Sequence, residues 1–166
     1  MPLFLLDESP LCPSDATAAL IIDERGHYLL QHRDAIEGIF YPDHWSCFGG
    51  AVDPGESERQ ALVRELDEEL GLRVKEADLE YFTSFQFDFR FSSRTRVDRD
   101  YFVLRIERAR LSDLSLGEGQ AMGLFDARIA LTEERVVPYD AYALWLHLHR
   151  ERFKPDTAAA REGGGP

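Results

Sequence analysis

Three glutamates, Glu65, Glu68 and Glu69, stand at i, i+3 and i+4 within GGAVDPGESERQALVRELDEELGL, the stretch from Gly49 to Leu72. On a helix, at about 100° per residue, they share one arc with Glu58 and the small Ala61. Like charges so spaced cost only about 0.2 to 0.5 kcal/mol per pair on a solvated helix. Held about 5 to 6 Å apart at an effective dielectric of about 20, they cost roughly 2 to 3 kcal/mol. Two readings follow from charge alone. Either the side chains splay into water as an ordinary acidic face, or the cluster holds a hard divalent cation. Oxygen-only donors of this kind suit Mg²⁺, Mn²⁺ or Ca²⁺ rather than zinc.

The flanking residues say what positions the three. Asp53-Pro54-Gly55-Glu56 is a turn cluster, and Ser57 with Gln60 three residues later forms a capping box that starts a helix. Leu62, Leu66 and Leu70 make an i, i+4, i+8 row with Val63 beside it, so one side of the helix faces a core and the neighbouring side carries carboxylates. Gly71 supplies a left-handed stop, which Leu72 closes hydrophobically.

Counted from Gly50, the order is glycine, five residues, Glu56, seven residues, then Arg64-Glu65-Leu66-Asp67-Glu68-Glu69-Leu70-Gly71-Leu72. This resembles the box of the Nudix hydrolase family, G-x5-E-x7-R-E-U-x-E-E-x-G-U with U a bulky aliphatic, at every fixed position. From average residue usage the match has a chance probability on the order of 10⁻⁹ to 10⁻¹⁰ per starting position. The resemblance implies an α/β fold, the α/β/α sandwich around a mixed β-sheet, with the box as loop, helix and loop. It implies Mg²⁺ or Mn²⁺ held by Glu65, Glu68 and Glu69 together with the backbone carbonyl of Gly50. Glu68 or Glu69 would activate the attacking water, and Glu56 and Arg64 would support the glutamates through a salt bridge. Relatives commonly place a further carboxylate beyond the box as a ligand or general base, and Glu118, between Gly117 and Gly119, occupies that region. Phe48 stands where many relatives have proline.

The implied activity is hydrolysis of a nucleoside diphosphate linked to another group. A normal or oxidised nucleoside triphosphate, cleaved to the monophosphate and pyrophosphate, is the first substrate choice. A nucleoside diphosphate sugar such as ADP-ribose is the alternative. A non-catalytic ligand-sensing module would keep the fold but can lose box glutamates, all of which are present here. Isopentenyl diphosphate isomerase has a related box and needs a catalytic cysteine, a role for which the position of Cys47 gives no support.

Composition narrows the setting. A chain of 166 residues is one domain with room for a real core, expected over residues 1–154, with the stretch 155–166, ending REGGGP, expected to be disordered. No apolar run reaches the roughly 20 residues of a membrane span and no basic-then-apolar leader opens the sequence, so a cytoplasmic setting is expected. Cys12 and Cys47 have no partner motif and read as reduced thiols. A net charge of −12 argues against binding a nucleic-acid polymer, but not against a small phosphorylated substrate met through a metal.

Along the chain, Thr17 to Asp23 and His27 to Arg33 read as a hairpin about Glu24-Arg25-Gly26, with His32 and Arg33 directed to the substrate mouth or to solvent. Asp34 to His44 reads as a loop whose aromatics pack locally. Leu79 to Phe91 alternates as one strand, or two joined at a bend, answered by Tyr101 to Ile106. Its aromatic face could serve a core or a homodimer interface. The polar connection Ser92 to Asp100, carrying Arg94, Arg96 and Arg99, reads as a solvated hairpin tip. A hydrophobic helix fits Tyr139 to Phe153, on which His147 and His149, two apart, do not share a face.

Overall fold

The computed structural model describes residues 11–92 and 96–153 of the chain; residues 1–10, Arg94 and the expected tail 155–166 lie outside them. The described residues contain six strands: β1 (Ala16–Ile22), β2 (Tyr28–His32), β3 (Trp45–Ser46), β4 (Glu80–Asp88), β5 (Arg96–Arg105) and β6 (Ala121–Phe125). They form one mixed sheet in the order β3-β2-β1-β5-β4, with β6 paired to β2. β1 and β5 run parallel, whereas the β1–β2 hairpin and the β4–β5 pair are antiparallel.

β1 reads as a continuous apolar run because both its faces are covered. Ala19 and Ile21 join Leu62, Leu66 and Leu70 of α1 (Glu58–Leu70) on one face. Ala18, Leu20 and Ile22 join Ala143 and Leu144 of α3 (Pro138–Leu148) on the other. The molecule is thus an α/β/α sandwich. α1 begins where the capping box places it: Ser57 accepts from Gln60 N–H, and Gln60 answers to the Ser57 backbone. It ends at Gly71, whose φ of 62° is left-handed.

Three features differ from the sequence reading. β5 begins at Arg96, so Arg96 and Arg99 are strand residues and not part of a solvated tip. Arg99 points inward because it alternates with Asp98 and shares a face with Tyr101, where it meets Asp140 (Nη2 to Oδ1, 3.3 Å). Secondly, a short helix, α2 (Ala127–Glu133), follows β6; its N-cap is Asp126, which accepts from Arg128 N–H, and Ala127 and Ala130 are its buried residues. Two small residues make a weak apolar stripe, which is why periodicity does not reveal it. Lastly, α3 stops at Leu148 and a 3₁₀ turn carries Arg150–Phe153, the tighter turn being a common helix ending. The aromatic alternation in β4 also has a physical explanation: the pairing register shifts between Tyr81 and Thr83. This bulge re-phases the strand, so that Phe82 and Phe85, three apart, both pack on the α3 side.

His147 of α3 is buried, its Nδ1 lying 2.5 Å from Tyr28 Oη. Burial, followed by the positive charges of Arg150 and Arg105, lowers its pKa from 6.5 to about 4. The neutral ring shares a hydrogen bond with the tyrosine hydroxyl, whereas in an unfolded chain the ring would be protonated below pH 6.5. The folded pKa being the lower, this contribution is fully present above pH 6.5 and is lost as pH falls towards 4, an effect of about 2 to 3 kcal/mol. Relative to the parent protein, the urea midpoint of the His147→Gln variant should therefore rise as pH falls from 7.5 to 4.5, because only the parent carries the loss at the buried histidine.

Candidate active site

Residues 47–51 cross from the sheet to the turn before α1 alongside β1. Thr17 N–H donates to the Gly50 carbonyl and Ala19 N–H to the Phe48 carbonyl, both at 2.9 Å. Phe48 is fully buried in the α1-side core, so a side chain in place of proline packs there without disturbing the ladder. The opposite edge of this segment meets carboxylates instead of a strand. Cys47 N–H donates to Asp140 Oδ2 at 2.9 Å, and Gly49 N–H donates to Glu69 Oε2 at 2.8 Å.

Close approach explains the glycine at position 50. A Cβ there would lie 2.5 Å from Glu65 Oε1, so any side chain would occupy the space over that carboxylate. Gly49 has φ +132° and would meet Thr17 O at 2.3 Å, which excludes L-residues twice over.

Arg64 is the hub of the box. Its Nε and Nη2 fork onto the two Glu56 oxygens, each at 3.0 Å. Its Nη1 reaches Glu65 Oε1 at 2.8 Å and Glu68 Oε2 at 3.4 Å. The fork holds the Glu56 carboxyl below its usual range and raises the guanidinium further. Burial pushes Glu65 upward, with Arg64 opposing and Glu68 and Glu118 adding to it.

Glu69 is the most constrained of the three. Only 5% of it is exposed, and burial, opposed by Gly49 N–H and reinforced by the charges of Glu118 and Glu65, pushes its pKa up to about 8. Glu118 itself is exposed, yet its loop is tied to α1: Gly117 N–H donates to the Glu69 carbonyl at 2.7 Å. Buried Gln31 of β2 bridges the two parts. Its Nε2 donates to the Glu118 carbonyl at 3.0 Å and lies 3.5 Å from Glu69 Oε1.

The residues therefore fit a hard divalent cation by chemistry: oxygen donors only, an uncompensated buried carboxylate, and space kept clear by Gly50. Among the described residues no three acidic or histidine side chains already form a cage, since Glu68 is largely exposed and turned towards Arg64. The Gly50 carbonyl has one lone pair engaged by Thr17 and one remaining.

His32 is engaged by two neighbours. Its Nε2 pairs with Asp43 Oδ1 at 3.0 Å, and its ring stacks on Trp45 with centroids 4.8 Å apart. Arg33 does line the cleft that opens at Gly49 and Gly50. The Arg99–Asp140 pair and Gln31 escaped the sequence reading. An arginine alternating with inward residues of a strand was the available signal for the first; an isolated glutamine gave none.

A family model, the NUDIX domain, matches residues 13–157. The nucleoside triphosphatase NudI of Enterobacter sp. (strain 638) is 44% identical over 55 residues, covering 33% of this chain and 38% of that protein. The CTP pyrophosphohydrolase of Escherichia coli (strain K12) is 46% identical over 68 residues, 41% of this chain and 47% of that one. The chain thus matches less than half the length of these curated relatives. The solution structure of the E. coli ORF135 protein superposes with a TM-score of 0.65 at 27% identity, covering 89% of this chain and 96% of that one.

Proposed function

Because this chain belongs to the Nudix family, matched across residues 13–157, we propose that it hydrolyses a phosphoric anhydride bond in a nucleoside diphosphate derivative, with a normal or oxidised nucleoside triphosphate as first substrate. The observation that carries this reading is the buried Glu69 carboxylate held by Gly49 N–H beside Glu65. Such a group is poised either to bind a cation or to take a proton near neutral pH. The activities for which the NudI and CTP pyrophosphohydrolase relatives are named favour a triphosphate over a sugar-linked diphosphate.

In this proposal Glu65, Glu68, Glu69 and the Gly50 carbonyl hold Mg²⁺ or Mn²⁺. Bound there, the cation would neutralise charge on the diphosphate and make a nearby water more acidic. Glu69 or Glu68 accepts the proton of the attacking water, and Glu118 reaches the same space from the facing loop. Arg64 orients Glu65 and Glu68 while Glu56 holds Arg64. A cytoplasmic setting, where nucleotides and Mg²⁺ abound, belongs to the same proposal.

The test is product release from a panel of nucleoside triphosphates, dinucleoside polyphosphates and nucleoside diphosphate sugars, each with Mg²⁺, with Mn²⁺ and with chelator. Pyrophosphate released only with metal is the expected result. Sugar phosphate would move the assignment to the alternative, and metal binding without cleavage of any member would favour a ligand sensor.

Gln31 provides a finer check. The Gln31→Leu variant loses the bridge to the Glu118 loop and should cost about 1 to 2 kcal/mol of stability for the unpaired carbonyl. Its kcat should fall about tenfold with KM nearly constant, because the carboxylates are displaced rather than removed. Steady-state kinetics on the best panel substrate, with thermal melts alongside, would show whether kcat and KM part in this way.

A further inference from the structure

A cleft of about 460 Å³ opens beside Gly49 and Gly50 and is walled by residues of β4, β5 and the start of α3. Tyr41, Phe87, Phe89 and Tyr139 give it aromatic faces, and Arg99 lies among them. Aromatic walls accept the flat face of any nucleobase and discriminate weakly between them. Discrimination has to come from the polar group.

Arg99 is held in one orientation. Its Nε–H donates to Tyr101 Oη at 3.0 Å and its Nη2 to Asp140 Oδ1 at 3.3 Å. Its guanidinium carbon lies 4.7 Å from the Tyr139 ring centroid. Asp140 is fixed in turn by the Tyr101 hydroxyl at 2.6 Å and by Cys47 N–H at 2.9 Å. Nη1 donates to no group among the described residues, and 14% of the side chain is exposed. Asp140, fully buried, neutralises the charge, so the pair offers directed N–H donors more than a net positive charge. That suits an uncharged ring edge better than a phosphate. A guanidinium can donate but never accept.

Resting on the nucleotide reading above, we infer that this cleft takes a nucleobase carrying a ring carbonyl, that Arg99 reads it, and that adenine is disfavoured. Guanine sets two acceptors, O6 and N7, side by side for a guanidinium fork, and the carbonyls of uracil are acceptors as well. Adenine places its N6 amino group beside N7, so one donor of the fork meets another donor. The adenine-based ADP-ribose alternative is disfavoured on the same ground.

The experiment measures kcat/KM for GTP, UTP and ATP with Mg²⁺ on the intact protein and on Arg99→Lys, and calorimetric binding of GMP and AMP to the intact protein. The intact protein should favour GTP and UTP over ATP by about tenfold or more. Arg99→Lys keeps a cation beside Asp140 but loses the planar fork, and the ratio should shrink to a few-fold. Equal rates with ATP, or a preference unchanged in a folded Arg99→Lys, would overturn the inference while leaving the hydrolase reading in place. Should no nucleotide be cleaved, tighter binding of GMP than AMP would uphold the cleft and count against the hydrolase, and equal binding would overturn the cleft. These last measurements need no variant, so a failure of Arg99→Lys to fold still leaves a decision.

Discussion

Replacing Glu69 by glutamine should lower turnover by about 10² to 10⁴ while leaving the fold standing. The carboxylate is almost completely buried, and its Oε2 accepts from Gly49 N–H. Glutamine has the same shape, and its amide oxygen can accept the same bond. What it lacks is the charge. Burial and the neighbouring Glu118 and Glu65 raise the pKa from 4.5 to about 8, so without a cation the ionised form is disfavoured by the fold. Because the folded pKa exceeds the unfolded one, the stabilising contribution is present below about pH 4.5 and is lost as pH rises through 8. Thermal midpoints in chelator should therefore decline from pH 5 to 8.5 in the parent protein and decline less in Glu69→Gln, whose midpoint at pH 8.5 should be the higher. Turnover within threefold of the parent would remove Glu69 from the mechanism. An equal decline in both proteins would show that the buried charge is not the source of the strain.

Replacing Arg64 by methionine should lower kcat by about tenfold to a hundredfold through misplacement of the carboxylates. Stability should fall by about 2 kcal/mol, a part-exposed version of removing one partner from a buried ion pair. One guanidinium holds both oxygens of Glu56 and one oxygen of Glu65, so its loss leaves Glu65 beside Gly50 without an ion-pair partner among the described residues. Arg64→Lys separates charge from shape. Lysine restores a positive charge but cannot contact three oxygens of two carboxylates in one plane. It should recover part of the stability and little of the kcat, measured by denaturation and steady-state kinetics. Full recovery of kcat by lysine would mean that Arg64 acts through charge alone.

Much of this was legible in the residues because local chemistry and long-range packing agree there. Ser57, Gln60 and Gly71 bound α1 by hydrogen bonds made within a few residues, and the Leu62, Leu66, Leu70 row needs only a helix to become a core face. The Glu56–Arg64 pairing follows the box spacing in the same way. Features that depend on residues distant in sequence were not legible. Arg99 looks like one of several arginines near a turn until β5 is seen to begin at Arg96, which puts it beside Asp140, 41 positions away. Gln31 gains its place only when β6 pairs with β2 and brings the Glu118 loop over it.

The amides of Cys47 and Gly49 lie two apart on the same edge of one extended segment, and each donates to a carboxylate on a helix from a different side of the sheet. Inserting or deleting one residue just before Cys47 would turn both amides towards β1 and leave Asp140 and Glu69 without their donors together. The count of residues along this segment is accordingly under tighter constraint than the chemistry of Cys47. Its thiol is buried, while the amide it contributes is common to every residue except proline. A small apolar residue should substitute for it with little consequence, whereas a change of length would reach the base-reading cleft and the carboxylate cluster in one step.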